Sequence, residues 1–192
     1  MTDSKLWRNP IRGGVIQISN ICEYATSRIA YSSIDKASYV STDNLLQNCE
    51  GMVEYDGSPT TDTVVEYRKS DILLSNIRPY LKKLWLADRD GGCSPDVLVI
   101  RVKDERINPE YLYNTLRRQQ FFDYIMTDVK GMKMPRGNKA HILRFQIPLI
   151  DRDEQMFIIE KVHEYETIIL KARQVMLSCL QRKRDILQKY IG

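Results

Sequence analysis

The sequence predicts an α+β protein: a mixed α/β domain rich in short strands, followed by a long C-terminal coiled-coil helix. Three observations carry that expectation. Short apolar runs alternate with turn chemistry up to residue 148. One helix signal, Asn108-Pro109, interrupts them. After Pro148 no proline occurs and the only glycine is the terminal Gly192, while apolar residues recur at coiled-coil spacing. The expected domains are therefore 1–148 and 149–192.

The strands are expected at Val15–Ile18, Tyr39–Ser41, Val64–Tyr67, Ile72–Ser75, Leu84–Ala87, Val97–Val102 and Ile142–Ile147. Asp56-Gly57-Ser58-Pro59 and Asp90-Gly91-Gly92 read as turns between them. Asn108 is placed to cap a helix, and Pro109 suits its first position, where a missing N–H costs nothing. Tyr111, Leu112, Leu116, Phe122 and Ile125 follow at helical spacing, and Gly131 ends the region. Asp151 with Glu154 is capping-box-like, so the last helix is expected to begin there.

Composition narrows the function classes. The chain has 192 residues, 43% of them hydrophobic and 28% charged, with a formal net charge of +4. That is enough apolar material for a core, and the mild basicity permits a polyanionic partner without demanding one. Cys22, Cys49, Cys93 and Cys179 form no CxxC pair, and only two histidines occur. A zinc site or a disulfide framework is not expected, and reduced thiols in a cytoplasm are. The N-terminus has no apolar signal core, and no stretch approaches the roughly 18 apolar residues of a membrane span. A soluble, cytoplasmic protein is expected.

The last helix carries a seam. Ile158, Val162, Tyr165, Ile169, Ala172, Met176, Cys179, Lys183, Ile186 and Tyr190 alternate spacings of four and three, and only Lys183 breaks the apolar character. A rod of this kind, roughly 57 Å long at 1.5 Å per residue, needs a partner helix to bury its seam. Residues 151–166 hold six acids and two bases, whereas 167–192 hold six bases and one acid. Antiparallel pairing sets the acidic half against the basic half, although the same asymmetry also suits the helix macrodipole. The competing reading is a helix folded back on its own domain.

Two stretches suit nucleic acid. In the first, Lys130, Lys133, Arg136, Lys139 and Arg144 fall within Val129–Ile150, a span with no acidic residue. Its glycines and Pro135 keep it irregular, so backbone N–H groups and cations approach phosphates together. Arg136 and Asn138 have the donor patterns that read guanine and adenine edges. The plainer alternative is a solvated surface loop. In the second, the strand ending at Ser75 leads into a turn with Asn76, Arg78 and Tyr80, and Lys82 and Lys83 lie beyond. Tyr80 is equally open to a core reading, and Leu81 is assigned to the core.

Catalytic patterns fail on inspection. Asn76-Ile-Arg-Pro-Tyr80 superficially resembles the Asn-Pro-Pro-Tyr motif of adenine methyltransferases, but Ile77 and Arg78 intervene and no Gly-rich cofactor turn follows a strand. Pro95-Asp96 with Lys103 hints at a PD-(D/E)xK nuclease, but position 101 is Arg where the motif requires an acid. Asp96 reads instead as a strand-entry residue. His141 and His163 lack a recognisable nucleophile. No catalytic residue, metal or cofactor is expected.

Ordered motifs then resemble a family. Tyr39-Val-Ser-Thr-Asp-Asn-Leu45, Ser70-Asp-Ile-Leu-Leu-Ser-Asn-Ile-Arg-Pro-Tyr-Leu-Lys82 and Ser94-Pro-Asp-Val-Leu-Val-Ile100 look like the target-recognition domain of a type I restriction-modification specificity subunit. Pro109-Glu-Tyr-Leu-Tyr113 resembles its internal helix. Ile147-Pro-Leu-Ile-Asp-Arg-Asp-Glu-Gln155 resembles the entry to its spacer helix, with Ile150 and Asp151 where prolines usually stand. That resemblance implies a non-catalytic subunit that recognises a bipartite double-stranded DNA target. It implies methyltransferase subunits, and a restriction subunit, as partners. Such subunits usually hold two recognition domains and two antiparallel helices, whereas this chain has one of each. The resemblance therefore implies a half-subunit that dimerises, or a fragment or pairing partner of a longer specificity subunit. The alternative is a half-length interaction module that regulates assembly without reading DNA.

Overall fold

The computed structural model describes residues 14–57, 59 and 61–191. The expected N-terminal reading, and Ser58 within the first expected turn, lie outside them. The chain divides into two units, one ending at Arg152 and one beginning at Asp153.

In the first unit the elements run β1 (Val15–Gln17), α1 (Ile18–Ile21), β2 (Cys22–Tyr24), β3 (Arg28–Ala30), β4 (Tyr39–Val40), β5 (Thr63–Tyr67), β6 (Ile72–Ser75), β7 (Leu84–Leu86), β8 (Gly91–Cys93) and β9 (Val97–Val102). Then come α2 (Pro109–Leu116), α3 (Gln119–Met126), β10 (Val129–Lys130), β11 (Arg136–Gly137), α4 (Lys139–Leu143) and β12 (Gln146–Pro148). The second unit is the helix α5, whose full span is Arg152–Ile191. The architecture is the α+β arrangement expected.

Two four-stranded sheets form the body, ordered β2-β9-β6-β7 and β3-β5-β8-β4. The first is antiparallel throughout, and β4 joins β8 in parallel in the second. Register places Leu73 opposite Trp85 on one side and Val99 on the other. These three share one core with Val40, Tyr67 and Cys93 of the other sheet. Ile72, Leu74, Leu98 and Ile100 on the reverse face are buried too. Both faces being covered explains why Ile72–Leu74 and Val97–Ile100 read as unbroken apolar runs rather than alternating ones. The rim of this sheet is pinned by the nearly buried Asp71, whose carboxylate accepts from Arg101 at 2.9 and 2.6 Å and from the Arg68 N–H at 2.7 Å. That hydrogen bond raises the Arg101 pKa further and keeps the guanidinium charged, against the opposing effect of burial. Finally, β1 pairs antiparallel with β12, Val15 opposite Pro148, so the first and last strands described in the unit lie side by side.

Three expectations are corrected. The run Ile142–Ile147 is not one strand: α4 takes residues up to Leu143, and only Gln146–Pro148 is extended. Asn138 decides this by accepting from the backbone N–H of Ala140 and His141, a helix cap that outweighs the apolar pattern. The single helix after Asn108 is two, because Arg118 is extended (φ −69°, ψ 147°) between α2 and α3. The Asn108 cap itself holds, its side chain accepting from Glu110 N–H. Gly91 and Gly92 lie in β8, not in a turn. A Cβ on Gly91 would stand 2.2 Å from Ser38 O, and one on Gly92 would stand 2.3 Å from Val64 Cγ2. These glycines permit close strand approach rather than chain reversal.

In α5, Gln155 and Ile159 are buried, and the remaining side chains are exposed or half-buried. At 1.5 Å per residue its 40 residues span roughly 60 Å. No helix of the described residues is long and apolar enough to cross a membrane.

Candidate nucleic-acid interface

The two stretches singled out in the sequence, 75–83 and 130–139, meet in the structure through their backbones. Arg78 N–H donates to Pro135 O at 2.8 Å, and Gly137 N–H donates to Asn76 O at 3.1 Å. Between these bonds Ile77 forms an antiparallel bridge with Arg136. The join is tight. A Cβ on Gly137 would lie 3.0 Å from Asn76 Oδ1 and 3.1 Å from both Ile125 and Ile142.

The first loop leaves β6 and makes a short turn of 3-10 helix at Pro79–Leu81. The residues flanking that turn, Arg78 (φ 51°) and Lys82 (φ 52°), are both left-handed, which costs about 1–2 kcal/mol for each non-glycine residue. Backbone held in such conformations clusters at functional sites. The Arg78 and Tyr80 side chains lie outward. Arg78 is exposed and Tyr80 is 49% exposed, while Pro79 is buried beneath them. Leu81 is half-buried rather than a full core residue.

The second loop is a hairpin. Val129 and Lys130 pair with Gly137 and Arg136, and Gly131 takes the left-handed conformation (φ 86°) at the turn. Lys130, Lys133, Arg136 and Lys139 are all exposed. Arg136 reaches across to Asp96, with Nη2 at 3.1 Å from the carboxylate. The backbone carbonyl of the same Asp96 accepts from Asn76 N–H at 2.8 Å, so this residue ties the two loops to the start of β9.

Not every expected contact residue faces outward. Ser75 is buried, and its hydroxyl donates to Ile77 O at 3.1 Å. Asn76 is 8% exposed, and its Oδ1 has no hydrogen-bond partner. Both shape the loop from inside. Asn138 is spent on structure at both ends: Oδ1 caps α4, and Nδ2 donates to Asp128 at 2.9 Å. Lys83 is half-buried, with Nζ donating to Thr42 O, and Lys82 is half-buried as well. The outward set is therefore Arg78, Tyr80, Lys130, Lys133, Arg136 and Lys139.

The residues that sequence reasoning missed are apolar and acidic. Met132 is fully exposed at the hairpin tip and Met134 is 48% exposed beside it. Both stood between the lysines in the sequence, but charge drew the reading. Asp96 was read only as a strand-entry residue, which its place before β9 agrees with, and its link to Arg136 had no sequence signal. Among the described residues no group of three or more His, Cys, Asp or Glu side chains is placed to hold a metal ion. Burial pushes the thiols of Cys22 and Cys93 up to about 12 and that of Cys49 up to about 11.

On α5, the seam residues Tyr165, Ile169, Met176, Ile186 and Tyr190 are more than half exposed, Ala172 and Cys179 are exposed, Ile158 is marginally so, and Val162 is half-buried. Ile168, Val175, Leu180 and Leu187 flank the seam and are exposed as well, and Leu170 and Leu177 are exposed further round the helix, so apolar surface extends beyond a two-helix seam.

A strand-rich body followed by a long helix has counterparts among solved structures. The chain superposes on the HsdS subunit from Thermoanaerobacter tengcongensis with a TM-score of 0.68 at 19% identity, covering 98% of this chain and 50% of that one. It matches a chain from a study of assembly and conformational transition in the type I R-M system with a TM-score of 0.68 at 20% identity, covering 97% of this chain and 50% of that one. The S subunit from M. genitalium gives a TM-score of 0.59 at 14% identity, covering 96% of this chain and 46% of that one. These likenesses show the fold. In sequence, the chain is 28% identical over 127 residues to the type I restriction enzyme EcoDI specificity subunit of Escherichia coli, covering 66% of this chain and 28% of that subunit. No family model matches the sequence. The resemblance to type I specificity subunits read in the sequence is therefore borne out. The chain spans about half the length of the solved relatives and under a third of the curated one.

Proposed function

We propose that this chain is a sequence-specific DNA-recognition component of a type I restriction-modification system, built as one reading head on one spacer helix. The observation that carries the reading is the join between the two loops. It gathers Arg78, Tyr80, Lys130, Lys133 and Arg136, from distant parts of the sequence, onto one backbone frame. The cations supply affinity for phosphates and the arginines have the forked donors that read guanine edges. The residues up to Pro148 serve as the recognition domain and those from Leu149 as the pairing element.

In this proposal α5 lays its stripe against a second rod running the opposite way, from another copy or from another specificity subunit. The acidic first half then faces the basic second half. Two heads held at a fixed separation read the two halves of an interrupted target. The flanking apolar positions leave surface for further helices, and we assign these to the methyltransferase subunits that the assembly positions on DNA, with a restriction subunit where the system has one. The chain itself is non-catalytic and works in the cytoplasm.

The test is selection of duplexes from a random pool by the purified full chain, alone and with methyltransferase partners, at moderate salt. A bipartite consensus is expected. Binding without any sequence preference, in both conditions, rejects the reading.

A further inference from the structure

The acidic residue at the edge of the basic surface is out of keeping with its surroundings. Asp96 has a side chain 42% exposed, and it lies 3.1 Å from the Arg136 guanidinium, whose side chain is 55% exposed. A carboxylate on a face that meets a polyanion opposes binding through simple Coulomb repulsion. Yet it is fixed there firmly: its own carbonyl accepts from Asn76 N–H, and Val97 N–H bonds back to Ser94 O at 3.0 Å, holding the turn into β9.

Resting on the DNA-reading function above, we infer that Asp96 is a specificity-determining residue: it orients Arg136 toward neutral base edges and turns phosphates away. The chemistry distinguishes the two ligands. A guanidinium has five N–H donors, and one carboxylate leaves enough of them for the O6 and N7 acceptors of guanine. The guanine edge is uncharged, so the carboxylate beside it causes little repulsion. A phosphate in the same place brings a full negative charge against Asp96. The pair therefore lowers the affinity of Arg136 for any backbone while sparing its affinity for the correct base. Asp96 is a positioning residue that acts through Arg136 and through local charge.

The experiment uses the full chain. Wild type first selects its preferred duplex from a random pool. Wild type, Asp96→Asn, Asp96→Glu, Arg136→Ala and the double variant Asp96→Asn/Arg136→Ala are then titrated with that duplex and with a scrambled one over a salt series. Melting is recorded for each. Asp96→Asn is expected to bind the scrambled duplex about fivefold more tightly, with the salt dependence steeper by about one ion, and to discriminate about tenfold less. Asp96→Glu is expected to restore most of the discrimination. In the Arg136→Ala background the substitution at 96 is expected to leave discrimination unchanged. If Asp96→Asn keeps wild-type discrimination and salt slope, the inference is overturned. If it weakens both duplexes equally with a lower melting temperature, the role is structural and the inference is again overturned. A wild-type chain that selects no sequence overturns the DNA-reading function and this inference together, whereas a selective wild type with an indifferent Asp96→Asn overturns this inference alone.

Discussion

In the first unit, Leu73, Trp85 and Val99 meet Val40 and Tyr67 in an interior that the unit supplies for itself. In α5, Ile169, Met176 and Tyr190 are more than half exposed, and the apolar stripe runs most of the helix. Both regions have similar raw material and use it differently. The sheets satisfy their apolar faces within one chain, so the strand-rich body carries its own stability. The helix carries a core with one side missing, and an exposed apolar stripe of that length calls for another molecule. The first unit thus buries its apolar faces itself, whereas α5 leaves most of its apolar side chains exposed.

Substitutions that separate the two parts sharpen this contrast. The largest effect is expected for Ile169→Asp combined with Met176→Asp. Two charges on the stripe should raise the dissociation constant of self-association by about a thousandfold or more, read by analytical ultracentrifugation, because buried unpaired charges cost several kcal/mol. The melting of the strand-rich unit should not move. An unchanged mass distribution would show that the stripe is not the pairing surface.

Next is Asp71→Asn, which removes one partner of the ion pair with Arg101. A loss of about 3 kcal/mol in denaturant unfolding of the first unit is expected, with self-association intact. Gly137→Ala follows. The new methyl group meets Asn76 Oδ1 and two isoleucines at 3.0–3.1 Å, so about 1–2 kcal/mol of stability and part of the DNA affinity should be lost together. Wild-type affinity in a destabilised Gly137→Ala protein would separate the join from the interface. The smallest effect is Lys82→Gly, which relieves a left-handed residue and should stabilise the unit by about 1 kcal/mol. Orientation of the pair has a chemical readout. Cys179 is the one exposed cysteine among the described residues. Parallel helices bring it against its copy and let a disulfide form, whereas antiparallel helices keep the two apart. No Cys179 cross-link is expected on mild oxidation.

Much of the body was legible in the sequence. Ile72–Ser75 and Val97–Val102 were read residue for residue because both faces of their sheet are buried and turn chemistry bounds each run. The entry into α5 was equally plain, since proline vanishes there. What failed did so for identifiable reasons. Ile142 fits a strand or a helix equally well, and only the Asn138 cap, made by hydrogen bonds to Ala140 and His141, selects the helix. Gly91 and Gly92 read as a turn because nothing in sequence reports how closely Ser38 and Val64 approach. Both candidate loops were found by charge, but their meeting was not. It rests on backbone groups, which every residue has, and so leaves no mark in composition. The same limit hid Asp96, whose importance lies in what it stands beside.

The bonds between Asn76–Arg78 and Pro135–Gly137 join main chain to main chain, and apart from the glycine none depends on which side chain is present. The side chains at the outward positions 78, 80, 130 and 133 take no part in those bonds. New target sequences should be attainable by exchanging those few residues while the framework stays as it is, much as type is reset on an unaltered press.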